Sequence, residues 1–177
     1  MNILVSSCLL GEDVRYDGDN SALAYNTSSS FKQKELFMDI ICENNIYSFC
    51  PEVSGGLPTP REAAEIISAQ KPFNIKTQSG ENVTINFLLG AKNTLDLCVE
   101  HKIKVALLKS KSPSCGKGLI YDGTFSDNLV EGNGITTKLL EQNGIKVFNE
   151  NQIDELAKFI NPELNLNESN VFSKLRL

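Results

Sequence analysis

Apolar positions along this chain follow two alternating rhythms. Residues 2–7 (NILVSS) open with a short apolar run containing β-branched side chains, left through Gly11, and read as a first, buried strand. Residues 12–30 are polar and turn-rich, with Asp17-Gly18-Asp19-Asn20, and predict a loop. Residues 31–45 then show helical spacing, with Leu36, Phe37, Ile40 and Ile41 on one face. A second strand over 46–50 is stopped by Pro51. Gly55, Gly56, Pro58 and Pro60 make 51–61 a shaped loop rather than a regular element. A short helix is expected over 62–69, and residues 73–77 and 83–87 alternate around Ser79-Gly80 as a hairpin. A helix over about 88–101, a strand at 103–109, a helix at about 134–143 ending on Gly144, a strand at 145–148 and a helix at 152–160 complete the pattern.

Strands alternating with helices predict an α/β fold: a mostly parallel, Rossmann-like sheet sandwiched by helices, with a β-hairpin insertion. The 177 residues suffice for one hydrophobic core, so a single domain is expected over 1–160, with 161–177 as an Asn-rich tail. Acidic residues outnumber basic ones, 22 to 17, which argues against affinity built on phosphate neutralisation and so against a nucleic-acid partner. No apolar stretch approaches the ~18 residues that suggest a membrane span. Val5-Ser6-Ser7-Cys8 superficially resembles a lipoprotein cleavage site, yet seven residues precede the cysteine, without a positively charged start. The segment is read as a strand, the expected compartment is the cytoplasm, and the five cysteines are then thiols or metal ligands, not disulfides. The single histidine, His101, excludes a site built on several imidazoles.

The cysteines sort into two classes. Cys42 and Cys98 fall inside predicted helices among apolar neighbours, where a free cysteine behaves as a small hydrophobe. Cys8 follows the first strand, Cys50 ends the second, and Cys115 follows the third through Ser112-Pro113-Ser114. In an open parallel sheet the ligand site lies outside the carboxyl ends of the strands, so these three can meet in one crevice. Glycines, prolines and serines beside them let backbone approach a bulky group. Three unrelated buried thiols remain the alternative, because no C-x-x-C signature is present. If the three converge, they suit a structural zinc with a fourth ligand, for which Cys42 or Cys98 is available. They equally suit an iron–sulfur cluster with one exchangeable iron.

The motifs around these residues resemble those of the thiouracil desulfidase family, formerly called domain of unknown function 523. Ser7-Cys8-Leu9-Leu10-Gly11 with Val14-Arg15-Tyr16-Asp17-Gly18 is similar to its first block, and Cys50-Pro51-Glu52-Val53 with Gly55-Gly56-Leu57-Pro58-Thr59-Pro60-Arg61 to its second. Ser112-Pro113-Ser114-Cys115-Gly116 and Ile120-Tyr121-Asp122-Gly123-Thr124-Phe125 resemble its third. The resemblance implies a [4Fe–4S] cluster on Cys8, Cys50 and Cys115 with one open iron site, and removal of sulfur from a thiolated uracil without net redox chemistry. In that scheme the thiocarbonyl sulfur binds the free iron, water attacks the carbon, and sulfide is released. Glu52 is the candidate acid/base for the proton transfers, or a carboxylate that caps the loop or pairs with Arg61, and Ser112 the candidate for orienting substrate or water, or a serine that serves the turn before Pro113. Arg15, Asp17 and Arg61 are candidates for substrate contact, or for salt bridges that shape the loops.

The chain departs from the usual family pattern at Ser7, where alanine is common, at Ala63, where proline is common, and at Asp127-Asn128, which replaces a glycine-containing turn. The expected substrate is a free thiopyrimidine or its small nucleotide. Thiolated uridine in tRNA ranks lower because the chain is acidic and carries no extra domain. A non-enzymatic zinc or cluster-carrying module is the reading from another class.

Anaerobically prepared protein should carry about four irons and four sulfides per chain. Single replacement of Cys8, Cys50 or Cys115 by serine should lose most of them, whereas Cys42→Ser and Cys98→Ser should keep them. Full iron retention by Cys115→Ser would overturn the ligand set.

Overall fold

The computed structural model describes residues 1–23, 29–70 and 72–162. Its chain runs β1 (Asn2–Ser6), a 3₁₀ turn (Ser7–Leu10), α1 (Phe31–Glu43), β2 (Asn45–Phe49), α2 (Pro51–Ser54), β3 (Ala64–Ser68) and β4 (Asn74–Thr77). There follow α3 (Thr84–Glu100), β5 (Val105–Leu108), β6 (Leu119–Tyr121), β7 (Leu129–Glu131), α4 (Ile135–Gln142), β8 (Lys146–Asn149) and α5 (Ile153–Ile160). Four strands form a fully parallel sheet in the order β2-β1-β5-β8.

Side chains alternate across a strand, and here each face has its own cover. Ile3, Val5, Val105, Leu107 and Phe148 pack on one side against Phe37 and Ile40 of α1 and Ile153 and Leu156 of α5. Leu4, Ala106, Leu108 and Val147 face the other way, against Cys98 of α3 and Leu140 of α4. Burial on both faces is why these strands read as apolar runs rather than as polar–apolar alternations. The α/β architecture, with its parallel sheet between helices, agrees with the sequence. Counted along the sheet the order is 2-1-3-4, so the winding direction reverses between β1 and β5. That reversal opens a crevice beyond the strand ends.

Three local expectations are corrected. Residues 62–69 form no helix: β3 pairs antiparallel with β4. Alanine and glutamate there favour a helix locally, but burying Ile66 and Ile75 with Val83, Phe87 and Ile120 decides for pairing. Residues 83–87 are no hairpin arm. Asn82 Oδ1 accepts from the Thr84 N–H at 3.0 Å and α3 starts there, leaving one bridge, Lys76 to Asn82, from the expected pairing. Pro51–Ser54 is a single helical turn within the expected loop. The β6–β7 ribbon, three residues a side, was not anticipated. Residues 24–28 of the expected loop and 163–177 of the expected tail lie outside the described residues. Among the described residues, no helix is long and apolar enough to cross a membrane.

The placement of α2 depends on two glycines. A Cβ built on Gly90 of α3 would stand 2.0 Å from Pro51 O, and one on Gly55 would stand 2.1 Å from Asn86 O. Backbone therefore packs on backbone, and the contact is fastened by Asn86 Nδ2 to Gly55 O (2.9 Å) and by Asn93 Nδ2 to Ser54 O (3.0 Å) and Oγ (2.9 Å). Gly90→Ala should force α2 off α3, at an overpacking cost of about 1–3 kcal/mol. Thermal unfolding should then show Tm lower by about 2–12 °C. An unchanged Tm would mean that α2 is not seated on the α3 backbone.

Candidate metal centre

Each of the three strand-end cysteines is held by its own local device. Cys8 lies in the 3₁₀ turn after β1, and its carbonyl accepts from Ser21 N at 2.8 Å. Gly11 ends that turn with φ 99°, a left-handed conformation that glycine adopts without strain. Cys50 is the residue before Pro51, at the start of α2, and its carbonyl accepts from Ser54 N at 3.0 Å. Cys115 sits in the loop after β5, which is seated on the start of α4. Pro113 O and Ser114 O accept from Ile135 N and Thr136 N, each at 3.0 Å, and the Thr137 hydroxyl donates to Cys115 O at 2.7 Å. A Cβ on Gly134 would stand 2.3 Å from Ser114 O, so this seat also needs a glycine. All three cysteines line one cavity of about 260 Å³.

The thiols share an unfavourable environment. Burial, then Cys50, pushes Cys8 up to about 12, with Lys109 and Arg15 acting in the opposite direction. Burial likewise raises Cys50, and burial together with Cys50 and Glu52 raises Cys115 well above its ordinary value. The Ser6 hydroxyl, 3.7 Å from Cys115 Sγ, works the other way. Three thiolates here need a cationic centre to offset burial and mutual repulsion, and metal-bound thiols are deprotonated outright.

This donor set fits a cluster better than a single ion. A tetrahedral zinc with bonds of about 2.3 Å draws its sulfurs to within about 3.8 Å of one another. Among the described residues, no three His, Cys, Asp or Glu side chains converge in a way that would hold a metal ion. A cavity of about 260 Å³ with three cysteines on its wall leaves room for a larger centre. The other possible ligands are elsewhere. Cys98 is buried in the core beneath the sheet, and His101 stacks on Tyr47 while its carbonyl accepts from Asn2 at the opposite end of β1. Cys42 is exposed on α1, contrary to its expected burial, because it falls off the helix face that carries Phe37 and Ile40.

Glu52 lines the same cavity, two residues beyond Cys50. Its Oε2 accepts from Arg61 Nε (3.0 Å) and Nη2 (2.8 Å), and its Oε1 accepts from the Ser112 hydroxyl at 3.1 Å. Arg61 also donates to Pro58 O and Val14 O, tying the second and first motif loops together. Ser112 Oγ in turn accepts from Ser114 N (3.0 Å) and Cys115 N (3.1 Å). Arg15 and Asp17 form a two-bond pair at 2.8 and 3.1 Å, and Arg15 Nη1 donates to Ser21 Oγ at 2.8 Å. All of the candidate site residues except Asp17 line the cavity.

Other wall residues carried no signal in the sequence. Lys109 and Ser110 follow β5 as an ordinary polar strand end, yet both are bonded to the half-buried Glu150. The Lys109 ammonium pairs with Glu150 Oε1, Ser110 Oγ donates to that oxygen at 2.6 Å, and Ser110 N donates to Oε2 at 2.7 Å. Glu65 of β3 accepts from Gly123 N (2.8 Å) and Phe125 N (3.1 Å), fixing the turn that brings Asp127 to the rim. Asp127 has φ 58°, so the Asp127-Asn128 departure noted in the sequence falls on a left-handed turn position at the cavity mouth.

Comparison with known proteins gives consistent results. The family model described as 2-thiouracil desulfurase matches residues 3–152. The protein YbbK of Bacillus subtilis (strain 168), described as uncharacterized, is 40% identical over 160 residues, which is 87% of this chain and 99% of that protein. The solved structure of the [4Fe-4S]-dependent thiouracil desulfidase TudS is similar with a TM-score of 0.76 and 44% identity, over 90% of this chain and 97% of that one.

The Glu150 contacts have a consequence for stability. Burial alone would raise its carboxyl, but Lys109 and Ser110 hold it below the ordinary 4.5. A lowered folded value means that the stabilisation is fully present above about pH 4.5 and is lost as pH falls through the folded value. Glu150→Gln should cost about 1–3 kcal/mol at pH 7 in urea unfolding. The difference from the parent protein should shrink as pH falls below about 4.5 and through the lowered folded value; a difference that stays constant with pH would refute the linkage.

Proposed function

The chain belongs to the 2-thiouracil desulfurase family, and on that footing we propose that Cys8, Cys50 and Cys115 hold the [4Fe–4S] cluster of a thiouracil desulfidase. The observation that carries the ligand assignment is the convergence of these three thiols, and no other cysteine, on one cavity that Glu52 also lines. The activity is cluster-dependent desulfidation of thiouracil: the C=S carbon takes the oxygen of water, and sulfur leaves as sulfide. Held by these three cysteines, such a cluster would supply an iron with an exchangeable position, a Lewis acid suited to a soft thiocarbonyl sulfur, whose coordination would make the ring carbon more electrophilic.

The chain's own groups handle position and protons. Arg61 occupies Oε2 of Glu52 with two N–H groups and so fixes the carboxylate plane. Among the described residues Oε1 accepts from Ser112, which leaves it a lone pair for a proton from the attacking water. The hydroxyl of Ser112 has its hydrogen on Glu52 and accepts two backbone N–H groups, so it holds Glu52 and the Cys115 loop in fixed relation. The Arg15–Asp17 pair stiffens the loop that carries Arg15 to the cavity wall. A free base or small nucleotide is the substrate form we favour.

The test is turnover of thiouracil by anaerobically loaded protein. Uracil and sulfide should appear in equal amounts with no external reductant, and dependence on an electron donor would reject the non-redox scheme. In the same assay Glu52→Gln should keep a normal cluster spectrum and lose turnover by ~10²-fold or more. Near-normal turnover by that loaded variant would remove Glu52 from the mechanism, and joint loss of cluster and activity would make the Glu52–Arg61 pair purely structural.

A further inference from the structure

We propose that Ser6 is a positioning residue for the metal centre: its hydroxyl places a hydrogen bond on Cys115 Sγ and so sets the reduction potential of the cluster that this cysteine helps to hold. The proposal rests on the cluster reading above.

Ser6 is the last residue of β1 and is 2% exposed, a place where a hydroxyl needs hydrogen-bond partners to offset its lost hydration. The β1–β5 pairing ends at Val5 opposite Leu107. Beyond that end the Lys109 N–H donates to Ser6 Oγ at 3.0 Å, so the side chain satisfies a backbone donor that the strand ladder leaves open. A serine hydroxyl carries one hydrogen. With an acceptor site of the oxygen taken by Lys109 N–H, that hydrogen is directed to Cys115 Sγ, 3.7 Å away. Both partners are buried, at 2% and 5% exposure, which leaves little room for water to compete at either.

A donor on a ligand sulfur withdraws charge from the iron it binds. Hydrogen bonds to the sulfurs are among the factors that set the potentials of such clusters. The bond stabilises the reduced state, raises the potential, and leaves the open iron a stronger electrophile for a soft sulfur ligand. The bland reading is that Ser6 only satisfies Lys109 N–H. That role needs the oxygen alone, affects stability alone, and leaves the potential unmoved.

The experiment is a redox titration, followed by paramagnetic resonance, of anaerobically loaded parent protein, Ser6→Ala and Ser6→Thr, with iron and sulfide measured in each. Ser6→Ala should retain iron and sulfide but lower the midpoint by a tenfold shift in the one-electron equilibrium, about 59 mV. Ser6→Thr keeps the hydroxyl and should stay near the parent value. An unchanged potential in loaded Ser6→Ala would overturn the proposal. If Ser6→Ala does not load, the parent protein decides: the iron–cysteine stretching bands should shift on exchange into D₂O, and bands that do not move would overturn it. Zinc without sulfide in the parent protein would overturn the cluster reading itself, a result distinct from an unmoved potential on an intact cluster.

Discussion

Three thiolates on the wall of one cavity would repel one another and lose hydration, and burial and neighbouring charge act on Cys8, Cys50 and Cys115 in that sense. Burial raises all three thiols, and Cys50 adds to the penalty on both Cys8 and Cys115. Without a positive centre the cavity holds neutral thiols; with one, the same burial strengthens each sulfur–metal interaction because water does not screen it. Lys109 and Arg15 ease the charge on Cys8, and the Ser6 hydroxyl eases it on Cys115. The carboxylates nearby are already engaged, Glu52 with Arg61 and Glu150 with Lys109, so their charge is partly offset.

Such a site tolerates little play, and the chain limits it by packing backbone against backbone. Gly55 and Gly90 bring α2 onto α3, which places Cys50 and Glu52. Gly134 brings the Cys115 loop onto the start of α4, where its carbonyls meet the first N–H groups of the helix. The parallel sheet supplies the common frame: β1, β2 and β5 end on the same edge, so three segments distant in sequence deliver their cysteines to one place. Arg61 then links Glu52 to the carbonyl of Val14, coupling the motif loops that surround the cavity.

The sheet and its covering helices were legible in the sequence because strands buried on both faces and amphipathic helices have different periods. The distinction between strand-end and helix cysteines was legible for the same reason. Residues 62–69 and 83–87 were not, since alanine- and glutamate-rich or short apolar runs suit either state until a partner is present. There the partner was β4 for one and the helix start at Asn82 for the other. The Cys42 error has a similar origin: one position around a helix separates a core residue from an exposed one.

By itself, then, the sequence determined that three cysteines follow three strands of one parallel sheet, because hydrophobic periodicity is a local property and parallel strands of one sheet share an edge. It also determined which carboxylate lies next to a thiol, since Glu52 is two residues from Cys50. Only the tertiary structure decided which groups meet across the cavity: Arg61 with Glu52, Ser112 with Glu52 and the Cys115 loop, Glu150 with Lys109, and Ser6 with Cys115. Those contacts join residues as much as 109 positions apart. No local pattern encodes them, because a hydrogen bond is set by distance and angle in space, and these exist only once the strands are in register.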